Sequence, residues 1–186
     1  MARITSQYIA KDKAAKAARN VYAQLLKLYA KQMAELEKGG GKKAVAKQHA
    51  KGRLSVRERI ELLIDKDTDL LEFGLFAAWE MYEEWGEVPA AGVVTGLGTV
   101  QGRTFVIIAN DATVKAGAFF PMTCKKVIRA QRIAIENRLP VIYLVDSAGV
   151  FLPLQEEVFP DEDDFGRVFR HNAVLSAMGV PQLAAI

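Results

Sequence analysis

Thr104-Phe105-Val106-Ile107-Ile108-Ala109 and Val141-Ile142-Tyr143-Leu144-Val145 are the two stretches that decide the fold. Neither alternates apolar with polar side chains, which is the pattern of a strand buried on both faces. Between them, residues 122–137 place Cys124, Val127, Ile128, Gln131, Ala134 and Ile135 at helical spacing, and Pro140 follows as punctuation. Strand, helix, strand is a βαβ crossover, so the expected fold class is α/β with an at least partly parallel sheet. In open sheets of this kind, ligands bind beyond the carboxyl ends of the strands. Two loops fall there, residues 110–121 and residues 146–153.

Working outward, residues 93–100 read as a further strand, with Gly96 and Gly98 marking close backbone approaches and Gln101-Gly102 a turn. Downstream, residues 165–178 read as a helix, Gly179-Val180-Pro181 ends it, and a last apolar strand starts at Gln182. Upstream, Ser55 caps a short helix with Glu58 in the capping-box position and Ile60, Leu63 and Ile64 inward. Residues 65–69 form a polar turn, 70–78 are apolar, and 79–88 read as an irregular acidic and aromatic surface segment. Residues 6–38 read as one long helix with a narrow stripe of Tyr22, Leu25, Tyr29, Met33 and Leu36. Gly39-Gly40-Gly41 ends that helix, and a lysine-rich linker is expected to about Lys51.

Charge is distributed unevenly along the 186 residues. Residues 1–59 hold fifteen Lys or Arg against four Asp or Glu, whereas residues 60–100 hold one against nine. A solvated basic helix face is the simplest account of the first block. Aromatic residues do not interleave with the cations, which argues against nucleic acid. No apolar run reaches the roughly 18–20 residues of a membrane helix. The single cysteine excludes an internal disulfide and suggests a reducing compartment.

Familiar catalytic systems are missing. Cys124 lies on the apolar helix face and reads as a buried, inert thiol. His49 and His171 lack ligand spacing, so no protein-bound metal is expected. Ser147 lacks the Gly-x-Ser-x-Gly elbow of a hydrolase. Gly39-Gly40-Gly41-Lys42-Lys43 follows a helix and has Lys43 where a phosphate loop needs a hydroxyl. Asp161, Glu162, Asp163 and Asp164 read as a solvated helix start. What remains is backbone chemistry. The N–H groups of Ala148 and Gly149 follow a buried strand and are candidates for an oxyanion hole, with Gly117 and its neighbours alongside. The pattern equally admits glycines that turn geometry alone requires.

Three runs carry a resemblance. They are Lys51-Gly52-Arg53-Leu54-Ser55-Val56-Arg57-Glu58-Arg59-Ile60, Ile108-Ala109-Asn110-Asp111-Ala112-Thr113-Val114-Lys115-Ala116-Gly117, and Asn137-Arg138-Leu139-Pro140 continuing through Asp146-Ser147-Ala148-Gly149. Together they resemble the β subunits of biotin-dependent acyl-CoA carboxylases, over roughly residue 50 to the end. Phe151-Leu152-Pro153-Leu154-Gln155, Val158-Phe159-Pro160-Asp161 and Phe165-Gly166-Arg167 resemble the methylcrotonoyl-CoA branch more than the propionyl-CoA branch.

The resemblance implies a crotonase-like carboxyltransferase fold, here the partial N-terminal domain over residues 51–186, preceded by a basic helical arm and linker over residues 1–50. It implies transfer of a carboxyl group from carboxybiotin, carried on a biotin carboxylase or biotin carrier partner, to an acyl-CoA. Ala148 and Gly149 would then be the catalytic oxyanion donors, and Lys115, Ala116, Gly117 and Ser147 would bind substrate. It further implies assembly with other β subunits, as a hexamer, in the cytoplasm or, in a eukaryote, the mitochondrial matrix. Two departures stand out. The family usually has Gly-Gly where this chain has Ala148-Gly149, and family members run well past residue 186, so this stretch alone is expected to be incomplete for turnover. Other acyl-CoA carboxylases, a crotonase-type hydratase or isomerase using Glu156 or Glu157, and a non-catalytic assembly piece are the alternatives.

Overall fold

A computed structural model describes residues 9–159 and 161–186. The start expected for the long helix, residues 6–8, and Pro160 of the quoted motif lie outside the described residues. The chain divides into two compact units, residues 1–35 and Leu36–Ile186.

Within the first unit runs most of helix α1, Lys13–Leu36, which begins later than the sequence pattern implies, since residues 9–12 ahead of it are a turn rather than helix. Ala, Leu, Lys and Gln are strong helix formers and no Gly or Pro interrupts them. Val21, Tyr22, Leu25, Leu26, Leu28 and Tyr29 are exposed along it. The helix ends ahead of Gly39, which takes a left-handed φ of +54°.

The second unit is built on a five-stranded sheet in the order β1-β2-β3-β4-β5. β1 (Leu71–Glu72), β2 (Val93–Val100) and β3 (Arg103–Asn110) are antiparallel neighbours, while β3, β4 (Val141–Leu144) and β5 (Gln182–Ala185) run parallel. Helix α4 (Pro121–Asn137) makes the crossover from β3 to β4, and α5 (Asp164–Ala177) that from β4 to β5. The parallel connection expected between β3 and β4 is present, and α5 adds a second one to β5.

Burial explains why β3 and β4 lack polar alternation. Val106, Ile108 and Val141 join Val127, Ala130 and Ala134 of α4 and Val168 and Leu175 of α5 in one core. The intervening Ile107, Ala109, Ile142 and Leu144 join Val56 and Ile60 of α3 (Val56–Leu63) in a second core. Successive strand residues thus enter different cores, and each fully buried Val, Ile or Leu contributes about 1.5–3 kcal/mol. Helix α3 starts with the expected capping box, in which Ser55 Oγ accepts from the Glu58 N–H and the Glu58 carboxylate accepts from the Ser55 N–H.

Two elements depart from expectation. The lysine-rich stretch read as a linker is helix α2, Gly41–His49. Its Lys, Ala and Gln residues favour helix, and Gln48 Nε2 anchors it by donating to the Ala112 carbonyl at 3.3 Å. The apolar residues 70–78 supply β1, whose Leu71 and Glu72 pair with Leu97 and Gly96. Residues 73–92 otherwise form 3-10 turns and loops around a third core containing Ala78, Val88, Ala91, Val114, Ala118 and Phe120.

Candidate functional site

The loops after β3 and β4 meet at the carboxyl ends of those strands. Lys115, Ala116 and Gly117 are consecutive left-handed residues, at φ +45°, +54° and +68°. For Lys115 and Ala116 that backbone costs about 1–2 kcal/mol each, so the surrounding contacts must hold it. Gly117 is required for a second reason. A Cβ there would stand 2.1 Å from the Asp146 carbonyl oxygen and 3.1 Å from Ser147 Cα. The two turns therefore lie backbone against backbone.

Hydrogen bonds join them. The Ala148 N–H donates to the Ala116 carbonyl at 3.0 Å, the Phe119 N–H to the Gly149 carbonyl at 2.8 Å, and the Phe151 N–H to the Phe119 carbonyl at 2.9 Å. Phe119 and Val150 make a parallel bridge. The Gly149 N–H rests on Ser147 Oγ at 3.1 Å, and Gly149 has open space where a side chain would be. Ala148 and Gly149 are both exposed. Ala148 does not take a left-handed φ, so the alanine at this position carries no backbone strain, whereas Gly149 sits at +89°.

The six residues singled out in the sequence thus come together in the backbone, but their groups differ in availability. The Lys115 ammonium donates to the Trp85 carbonyl. The Ala148 N–H already serves Ala116, while the Gly149 N–H is held only by a neighbouring hydroxyl.

Beside Ser147 lies a pocket of about 550 Å³ lined by Arg53, Leu54, Arg59, Val145, Asp146, Ser147 and Ile186. Arg53 Nη1 is 3.5 Å from Asp146 Oδ1. Two guanidiniums against the one Asp146 carboxylate give this side-chain lining a positive balance that suits an anionic ligand. Arg53 and Arg59 were visible in the basic motif before α3, but nothing in that motif says that it folds against the end of β4. A second, apolar pocket of about 640 Å³ follows the turn, lined by Val150, Gln155, Glu156, Val158, Phe159, Phe165 and Phe169.

Side-chain chemistry at the turns is sparse. Cys124 is fully buried, and burial with the nearby Asp164 pushes its thiol up to about 12. His49 Nε2 faces the Glu58 carboxylate at 2.9 Å in α2–α3, and with the Ser55 bonds this contact holds that carboxyl down at about 2. His171 is buried in α5, where burial and then Arg167, Arg132 and Arg170 lower its pKa. Among the described residues no group of three His, Cys, Asp or Glu is placed to hold a metal ion. No described helix is long and apolar enough to cross a membrane.

The carboxyl transferase domain model matches residues 47–186. The chain is 51% identical over 148 residues to the biotin-dependent 3-methylcrotonyl-coenzyme A carboxylase beta1 subunit of Mycobacterium tuberculosis, covering 80% of this chain and 28% of that protein. It is 50% identical over 161 residues to the mitochondrial methylcrotonoyl-CoA carboxylase beta chain of Dictyostelium discoideum, covering 87% and 27%. Among solved structures, transcarboxylase 12S, described as a hexamer assembly with methylmalonyl-coenzyme A bound, superposes with a TM-score of 0.78 at 31% identity, over 87% of this chain and 31% of that one. The chain therefore spans little more than a quarter of the length of these curated relatives.

Proposed function

We propose, because the chain belongs to the carboxyl transferase domain family, that it supplies the thioester-binding part of an acyl-CoA carboxyltransferase with a methylcrotonoyl-CoA-like substrate. The observation that carries this reading is the backbone pairing of the Lys115–Gly117 turn with the Ser147-Ala148-Gly149 turn at the carboxyl ends of β3 and β4.

The residues fit a thioester. The Gly149 N–H turns from the Ser147 hydroxyl to the thioester oxygen and stabilises the negative charge that develops there. The Ala148 N–H holds the turn against Ala116, and its donation to the same oxygen requires exchange of that bond. Arg53 and Arg59 take the phosphates of coenzyme A, and the apolar pocket after Gly149 takes the branched acyl group.

No side chain at the turns is poised as a nucleophile, since Lys115 is engaged with Trp85, Ser147 Oγ is bonded to the Gly149 N–H, and Cys124 is buried. Such a site fits chemistry whose reactive group arrives from elsewhere. Carboxybiotin on a partner subunit supplies the carboxyl group when it is bound. This chain's residues bind the thioester, orient it and stabilise its oxyanion. The partners in this reading are a biotin carboxylase or biotin carrier subunit and further β subunits in a hexamer.

Titration of the chain with methylcrotonoyl-CoA, propionyl-CoA and free coenzyme A tests the binding half. The expected order is methylcrotonoyl-CoA tightest. Carboxyl transfer from carboxylated biotin carrier, measured on the full-length protein, tests the reaction. Failure to bind any acyl-CoA, or hydration of an enoyl-CoA in the absence of biotin, overturns the proposal.

A further inference from the structure

We infer that Asp111 and Thr113, closed against Gly39 and Gly40, form a latch that positions the Lys115–Gly117 turn and, through it, the Ala148-Gly149 turn. Asp111 and Thr113 are thereby positioning residues for the acyl-CoA site. What the turns bind rests on the function proposed above, whereas the latch is a property of the free protein.

In sequence, Gly39-Gly40-Gly41 is a helix terminator. The structure gives the first two glycines a further task. Gly40 has φ −71°, a value any residue adopts, so it is not needed for backbone freedom. It is needed for space, because a Cβ there would stand 1.9 Å from the Thr113 carbonyl oxygen. A Cβ on Gly39 would stand 2.3 Å from Asp111 Oδ2. The junction between α1 and α2 is thus pressed onto the loop that follows β3.

Hydrogen bonds lock the contact. The Gly40 N–H donates to Thr113 Oγ1 at 2.9 Å. That hydroxyl donates in turn to Asp111 Oδ1 at 2.5 Å, and the same oxygen accepts from the Thr113 N–H at 2.9 Å. Thr113 Oγ1 therefore spends its proton on the carboxylate and a lone pair on the glycine. Gln48 of α2 adds its bond to Ala112 between them.

From here the order passes along the loop. The Asp111 N–H donates to the Gly92 carbonyl at 2.9 Å, the Val114 N–H to the Asp111 carbonyl at 3.0 Å, and the Gly117 N–H to the Val114 carbonyl at 2.8 Å. Lys115 and Ala116 follow at once in their left-handed conformation, and the Ala116 carbonyl receives the Ala148 N–H. An unbroken series of short contacts therefore links the glycine junction to the second turn. A strained turn persists only where its surroundings over-determine it, and the latch supplies that constraint at the start of the turn.

The test is amide hydrogen exchange on the 186-residue chain without ligand, comparing Thr113→Val, Thr113→Ser and Gly40→Ala. Loss of the hydroxyl in Thr113→Val is expected to speed exchange at Gly117, Ala118 and Ala148 by about tenfold, as local opening becomes easier. Thr113→Ser keeps the hydroxyl and is expected to keep the parental rates. Gly40→Ala is expected to act like Thr113→Val from the other side of the contact. Ile107 and Val141 amides report whether the sheet is intact. If either disruptive variant loses the sheet, Asp111→Asn, which preserves volume, is read on the same three amides. Faster exchange confined to Gly40, with Gly117 and Ala148 unchanged, overturns the inference. Titration with methylcrotonoyl-CoA is run in parallel. A parental chain that binds no acyl-CoA overturns the proposed function and leaves the exchange result standing.

Discussion

Gly117 and Ala148 occupy facing positions in the paired turns and respond to substitution in opposite ways. At Gly117 both conformation and space exclude a side chain, with φ at +68° and the Asp146 carbonyl 2.1 Å from where a Cβ would be. Gly117→Ala is expected to destabilise the fold by about 1–3 kcal/mol and to separate the turns. Denaturant unfolding measures the first effect, and a loss of acyl-CoA affinity of about tenfold or more measures the second. Ala148 is exposed and free of left-handed strain. Ala148→Gly only adds freedom to the unfolded chain, so it is expected to cost less than about 1 kcal/mol. Acyl-CoA affinity should stay within about twofold, because the N–H to Ala116 is retained. Alanine at this position therefore sits in the turn without left-handed strain. A large loss in Ala148→Gly would show that the methyl group itself contacts the ligand.

At the scale of elements, α4 shows what periodicity reveals and what it hides. The helix, its bounds to within a residue and its inward Cys124, Val127, Gln131 and Ala134 are all legible, because apolar side chains at helical spacing need a core. Lys126 is not. A lysine reads as a solvent residue, yet this one is 4% exposed and donates to the Ala90 and Val93 carbonyls at 2.9 and 2.6 Å. Ala90 and Ala91 both have positive φ, and Thr123 Oγ1 of the same helix donates to the Ala91 carbonyl. α4 thereby secures the strained approach to β2, a task that only the tertiary structure defines. Helix α2 is hidden for a related reason, since its polar residues show no apolar stripe and its Gln48 anchor, Ala112, lies far away in sequence.

The buried lysine sets a pH dependence. Burial lowers the Lys126 pKa from 10.5 to about 8. The folded state then binds the proton more weakly than the unfolded chain, so this group's contribution rises with pH between about 8 and 10.5 and is least favourable below 8. The stability of the parent relative to Lys126→Met is expected to increase by about 1–2 kcal/mol from pH 7.5 to 9.5. Urea unfolding of both proteins at the two pH values measures it, with other titrating groups cancelling in the comparison. An unchanged or falling difference would mean that Lys126 is not buried as described.

For the whole molecule, what matters is where the apolar surface is removed from water. All three cores draw their buried residues from Val56 onward, and the paired turns, both arginines of the arginine-lined pocket and the latch all lie within Leu36–Ile186. The α/β class, the parallel crossover from β3 to β4 and the meeting place of the two loops were legible, because each follows from apolar runs and connection lengths. The partition of N–H groups within the turns was not, because backbone hydrogen bonds across residues far apart in sequence leave no compositional trace. A unit with its own cores should fold without a preceding helix whose polar face is already solvated. A chain starting at Leu36 is therefore expected to unfold in one cooperative transition, with a midpoint within about 4 °C of the parent, a shift that corresponds to no more than about 1–2 kcal/mol at this size. Acyl-CoA affinity should be retained along with it. Scanning calorimetry and titration on the shortened chain measure both, and a non-cooperative transition would assign residues 1–35 a part in the stability of the second unit.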